Sequence, residues 1–241
     1  MAALAAVLFA AAAAGCVPDD PAAGPGTGSK EPSATGPAGS ALAAVDSLTV
    51  KGRAPKTGFD RDEFGSPWAD TDSNGCGTRD DVLKRDLKDV RFKAGDDGCS
   101  VASGTLAPDP YTGEDITFVR GRSQVDIDHL VALSDAWQKG AQQWDASKRI
   151  ALANDPLNLL AVGASQNRSK GDGDTATWLP PRKAFRCDYV ARQVAVKKKY
   201  GLWVTAAEKA AMKRVLSGCP QQPLPAPGDA PTEAPSRFHA G

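Results

Sequence analysis

Asp128 and His129 stand side by side, and Asn158, Asn167 and Lys170 follow them in the same central stretch, Val125 to Asp172. An imidazole next to a carboxylate is equipment for proton transfer near neutral pH, because the reference pKa of histidine is about 6.5. Only two histidines occur in the 241 residues, and the other, His239, lies in a Pro-rich tail. Imidazole chemistry in the folded part therefore falls to His129. A lone histidine serves equally well as a buried, hydrogen-bonded piece of a core, and its type alone does not decide between the two. Asp126 precedes Asp128 by two residues, so a regular strand would put both carboxylates on one face.

The elements that must hold these residues are legible in outline. Gln124 to Leu133 has strand character around Val125 and Ile127, and Leu159 to Val162 reads as a second short strand. Between them Ser134 to Ala153 has helical composition, with Trp137, Ala141, Trp144 and Ile150 as apolar members, and Gln166 to Lys170 should open another helix. Upstream, Thr78 as N-cap, Asp80 and Asp81 in a first turn and Val82, Leu83 and Leu87 as a stripe predict a helix over Arg79–Lys88. Cys99–Leu106 and Ile116–Arg120 read as a hairpin turned by Asp109 to Asp115. Asp70 to Gly75 superficially suggests a calcium loop but lacks the EF-hand glycine and glutamate spacing, so a turn held by Asx hydrogen bonds is expected. Downstream, Cys187–Tyr200 ends at Gly201, and Thr205 to Glu208 form a capping box opening a helix to Leu216. Trp178 and the prolines after it read as core packing and a loop, with base stacking as the alternative.

Composition bounds the rest. The formal net charge is zero, which alone argues against a nucleic-acid partner. The zero hides an asymmetry: Arg120 to Arg214 carries 17 Lys and Arg against 9 Asp and Glu, and Lys51 to Val119 carries 10 against 14. Such a basic half is compatible with a phosphate-binding face, and equally with solvated helix surface. Met1 to Ala14 is an apolar run too short to span a bilayer, followed by Gly15 and Cys16. It looks like a lipoprotein signal (residues 1–16) with Cys16 as the lipidated residue, although no Lys or Arg precedes the run and Ala13 stands where Leu is usual. Residues 17–47 are rich in Pro, Gly, Ser and Ala and read as a flexible tether, residues 48–219 as one domain, and residues 220–241 as a disordered Pro-rich tail. Export places the remaining four cysteines in an oxidising compartment. Two helices joined by a short loop bring Cys187 and Cys219 together, which leaves Cys76 with Cys99. No Cys-x-x-Cys pair occurs, so a zinc cage is not expected.

Asp128-His129, Asn158-Leu159 and Asn167 with Lys170 together resemble the HNH nuclease pattern. More loosely, from Phe59 to Trp203 the chain is similar to exported actinobacterial proteins with an HNH nuclease domain, related to the C-terminal nuclease domain of modification-dependent restriction enzymes. The resemblance implies an α+β fold: a ββα-metal core with a helical insertion, an N-terminal helix plus hairpin, and a C-terminal helical hairpin. It implies a metal-dependent endonuclease acting on DNA, with RNA as a further candidate substrate. His129 would be the general base, and Asn158 would brace the connection and orient it. Asp128 and Asn167 would hold one divalent cation through oxygen, magnesium or manganese rather than zinc, with Asp126 as a second ligand or a hydrogen-bond acceptor. Arg168 and Lys170 would grip flanking phosphates. The reading from another class is a non-catalytic cell-envelope binding lipoprotein that keeps the fold; membrane contact in either case is through the lipid anchor.

Overall fold

A computed structural model describes residues 36–96, 98–122 and 124–238. The signal segment, Cys16, most of the tether and His239 lie outside them.

The site-bearing unit is two antiparallel strands followed by a helix. Strand β4 (Val125–His129) pairs with β5 (Leu159–Gly163), setting Asp128 opposite Leu160 and His129 opposite Leu159. Helix α5 (Ala164–Lys170) leaves β5 with no intervening loop. Alternation in β4 sends Val125 and Ile127 into one apolar cluster with Leu159 and Ala161, while Leu130, Leu160 and Val162 belong to another. The sheet is thus buried on both faces, which explains why β5 reads Leu-Leu-Ala-Val without polar alternation. The connection between the strands contains helices α3 (Leu133–Trp137) and α4 (Ala146–Asn154), as its composition predicts.

A second sheet of order β1-β2-β3 precedes this unit, following helix α2 (Thr78–Asp86). Strands β2 (Val101–Leu106) and β3 (Ile116–Val119) form the expected hairpin. Its turn is built by Asp109, whose carboxylate accepts from Tyr111 N, Thr112 N and Thr112 Oγ1, and also from Gly163 N at 3.0 Å. That last bond pins the hairpin to the junction of β5 and α5. Strand β1 (Lys88–Phe92) was not expected: it is an exposed, irregular edge strand, so its residues carry no alternating burial signal. Helix α2 starts at Thr78 rather than after it, because the Thr78 hydroxyl donates to Ala69 O instead of capping. The Asp70–Gly75 turn is held by Asx bonds, Asp70 accepting from Asn74 N and Gly75 N.

Two boundaries read from composition need correction. The tether does not run to residue 47, since α1 (Ala41–Asp46) is capped by Ser40 and packs Leu42 and Val45 against α6 (Arg186–Tyr200) and α7 (Ala206–Ser217). Ala-rich composition looks poor in apolar bulk, yet alanine suits a helix lying close to two others. The tail from residue 220 to 238 is equally ordered. Ala41 N donates to Gln222 O, Leu224 N to Gly39 O and Ala234 N to Ser147 O. Prolines restrict the unfolded chain and leave fewer N–H groups to satisfy, so a Pro-rich segment can be laid along a surface at modest entropic cost.

Disulfides join Cys76 to Cys99 and Cys187 to Cys219. Gly201 closes α6 with φ 72°, the left-handed conformation expected of it. The capping box at α7 is only half formed. Thr205 accepts from Glu208 N at 3.1 Å, but the Glu208 carboxylate turns inward, where Lys139 and Lys197 hold it at 2.6 and 3.0 Å.

These three residues belong to a buried network of alternating charge. Lys139 also meets Asp135 at 2.6 Å and Asp174 at 2.8 Å, Lys197 meets Asp135 at 3.1 Å, and Arg53 bridges Asp135 and Asp174 at 3.0 and 2.8 Å. Three cations thus face three carboxylates. Burial opposes charge on Asp135, but Lys197, Lys139 and Arg53 outweigh it and hold the carboxyl below its ordinary range. The network ties the segment before the site, helix α3, the loop after α5 and the C-terminal hairpin into one frame. It also discounts the basic half of the sequence, because Lys139 and Lys197 are spent inside.

Candidate active site

His129 ends β4 and is buried. Its Nε2 lies 2.9 Å from Ala153 O at the end of α4. A carbonyl only accepts, so Nε2 carries the proton and Nδ1 keeps its lone pair. The Trp68 indole stacks on the imidazole, with centroids 6.1 Å apart and planes at 13°. Trp68 takes φ 62°, a left-handed conformation unusual for a bulky side chain. Burial pushes the imidazole pKa down to about 4; the Ala153 carbonyl partly opposes this, and the positive charges of Arg61 and Lys170 add to it. His129 is neutral at physiological pH.

A folded-state pKa below the unfolded value has a measurable consequence. Between about pH 6.5 and 4 the unfolded chain binds a proton that the folded chain refuses, so stability is complete above that window and is lost as pH falls through it. Urea denaturation in EDTA should show a decline on the order of 3 kcal/mol across the window. A variant lacking the imidazole should flatten that part of the profile; an unchanged profile would show that another group carries it.

Asn158 is wholly buried and braces the same region. Its Oδ1 accepts from Val131 N at 2.8 Å, and its Nδ2 donates to Val131 O and Leu152 O at 3.3 and 3.4 Å. Both chain segments that flank the imidazole are thereby clamped. The Asn158 amide is thus engaged by the backbone of those two segments.

The neighbouring carboxylate is clamped as tightly. Asp128 accepts from Lys170 Nζ at 2.8 Å on Oδ1 and from the Tyr111 hydroxyl on Oδ2. Burial, and then the Asp128 charge, raise the Tyr111 pKa well above its ordinary value, so Tyr111 is a protonated donor. Lys170 also donates to His129 O at 2.7 Å, spanning both members of the Asp-His pair. The phosphate grip expected of Lys170 is therefore corrected: its ammonium is buried beneath the site. Arg168, exposed on α5, borders a separate polar groove with Asp109, Gln124 and Gln166. Asn167 donates its amide to Asp126 at 3.2 Å, which ties the second carboxylate of β4 to α5. Trp178 is half-buried and packs edge-on against Tyr111 and Tyr189 at the border of the core.

Asp128, His129 and Asn167 line one groove together with Lys56, Arg61 and Asp172. Lys56 Nζ and Ser134 Oγ each donate to Asp172 at 3.2 Å. Tyr111, Trp68, Lys56 and Arg61 were not singled out from sequence. Tyr111 sits in a hairpin turn and Trp68 in an irregular loop, and no periodicity marks either.

Would this site suit a divalent cation? The groove offers carboxylate and amide oxygens without a thiolate, since the four cysteines of the described residues are in disulfides. No cluster of three or more His, Cys, Asp or Glu capable of holding a metal occurs among the described residues. Magnesium is commonly bound by one or two carboxylates, with water and substrate phosphate completing the shell. Asp128 retains acceptor capacity beyond its two hydrogen bonds. The donor set therefore fits a hard, oxygen-preferring ion.

Residues 77–215 match the family described as GmrSD restriction endonucleases, C-terminal domain. The chain is also 40% identical over 184 residues to a protein of Arthroderma benhamiae described as an uncharacterized secreted protein, covering 76% of this chain and 86% of that one. No solved structure matches.

Proposed function

Because the chain belongs to the GmrSD restriction endonuclease C-terminal domain family, we propose that it is a metal-dependent endonuclease that hydrolyses phosphodiester bonds of DNA, with RNA open to the same chemistry. The observation that carries this reading is the state of His129: neutral, fixed through Nε2, and lining one groove with Asp128 and Asn167. Nδ1 accepts a proton from water as the water oxygen bonds to phosphorus. The opposite P–O ester bond breaks, and the departing oxygen takes a proton from solvent. Ala153 O keeps the imidazole in the tautomer this requires, and Asn158 braces the chain segments on either side of it. Asp128 and Asn167 would hold a divalent cation, with Asp126 orienting Asn167. When bound, that cation supplies positive charge at the scissile phosphate. Lys170 and Tyr111 hold Asp128 in one orientation.

The chain acts outside the cytosol in this reading. Two disulfides and a relative described as secreted support export, and no helix of the described residues is long and apolar enough to cross a membrane. Lipid attachment at Cys16 is part of the same proposal.

The test is purified protein on supercoiled plasmid and on single-stranded RNA, with magnesium or manganese and then with EDTA. Plasmid nicking that needs the metal and stops with EDTA is expected. Binding without cleavage under every metal would leave the non-catalytic reading.

A further inference from the structure

We infer that Arg61 is a further catalytic residue, a guanidinium that contacts the scissile phosphate; the inference rests on the nuclease reading above. Arg61 lies outside the stretch that matches the family, on a short 3-10 turn, Arg61–Phe64. It is exposed, lines the groove with Asp128, His129 and Asn167, and also lines the hollow on the Trp68 side of the imidazole. Its guanidinium makes no hydrogen bond or ion pair with the described residues, and its charge is felt at His129.

An unpaired arginine on a mobile loop would mean little, but this turn is anchored. Asp60 caps it by accepting from Asp62 N at 3.0 Å. Phe64 is buried and meets Phe59 and Trp137 at ring distances of 6.3 and 6.4 Å. Arg149 of α4 donates to Glu63 O at 2.7 Å and to the Glu63 carboxylate at 2.9 Å, tying the turn to that helix. Gly65, with φ 76°, lies so close to Ile150 of α4 that a Cβ would come within 2.5 Å of it. Helix α4 also carries Ala153, the carbonyl partner of His129. One helix therefore sets both the imidazole and the turn bearing Arg61, and their spacing is fixed by the core.

The chemistry suits the position. As water attacks, negative charge grows on the non-bridging phosphate oxygens, and a planar guanidinium can donate two parallel hydrogen bonds to such a pair. A donor already in place where charge develops is worth most in the transition state.

The experiment is single-turnover cleavage of a DNA duplex by wild type, Arg61→Ala and Arg61→Lys, with protein saturating and magnesium or manganese present. DNA affinity is measured in parallel by anisotropy in EDTA. Arg61→Ala should cleave about 10²–10³-fold more slowly, the range for loss of one preorganised donor. Its melting temperature should be unchanged, because the side chain holds nothing in the fold, and its DNA affinity should fall far less than its rate. Arg61→Lys should recover only part of the rate, and guanidinium ion in the buffer should speed the alanine variant but not wild type. Cleavage by Arg61→Ala at the wild-type rate overturns the assignment. Weaker binding with an unchanged saturated rate, or a lowered melting temperature that accounts for the loss, overturns it too. A wild type that leaves DNA intact under both metals removes the nuclease reading, and Arg61 with it.

Discussion

Lys139→Met should destabilise the protein by about 3–5 kcal/mol, the range for removing one partner from a buried ion pair. Lys139 is wholly buried and meets Asp135, Asp174 and Glu208, so its loss leaves three carboxylates facing Arg53 and Lys197 alone. Desolvating those charges is costly, and the attraction that offsets the cost would be gone. In a domain of this size each kcal/mol lowers Tm by roughly 2–4 °C, so thermal melting should show the effect clearly. The double variant Lys139→Met with Glu208→Gln should recover part of the loss, because it restores the balance of charge. A single variant as stable as wild type would show that the network contributes nothing net.

That network also shows why a pattern can be read rightly and its side chain wrongly. Thr205 and Glu208 have capping-box spacing, and Thr205 does cap α7, yet Glu208 is drawn inward by two lysines far away in sequence. Local patterns place elements well here. The strands around His129, the helical connection, the hairpin and the helices flanking Cys187 and Cys219 follow from periodicity, turn residues and capping. What escapes is whatever depends on a distant partner or lacks a period. Strand β1 is exposed at an edge, so nothing alternates. Helix α1 is built from alanine, whose contribution depends on how closely α6 and α7 approach. The Pro-rich tail is held by backbone hydrogen bonds that composition does not encode.

The site divides in the same way. Asp128, His129 and Asn167 were legible through a motif, and the groove brings them together. The roles of Lys170 and Asn158 are geometric. Lys170 was expected to face phosphate because it lies within a helical turn of Asn167, but it closes α5 and reaches Asp128 and His129 O. Tyr111 and Arg61 reach the site from elements that carry no motif.

The most direct test of the account is what His129 does to the rate of DNA cleavage. His129→Ala removes the proposed base, and general-base assistance is typically worth about 10²–10⁴-fold. His129→Gln serves beside it, because its amide can still donate to Ala153 O while offering no basic nitrogen. The described fold contains no second histidine to take over. Asp128→Ala and Asn167→Ala supply the contrast: they should weaken metal affinity, and excess manganese should restore part of their activity. Single-turnover cleavage of plasmid DNA, read alongside metal binding by calorimetry, separates the two classes. Both His129 variants should cleave at least about 10²-fold more slowly than wild type with metal binding intact; cleavage by either at the wild-type rate would contradict the account.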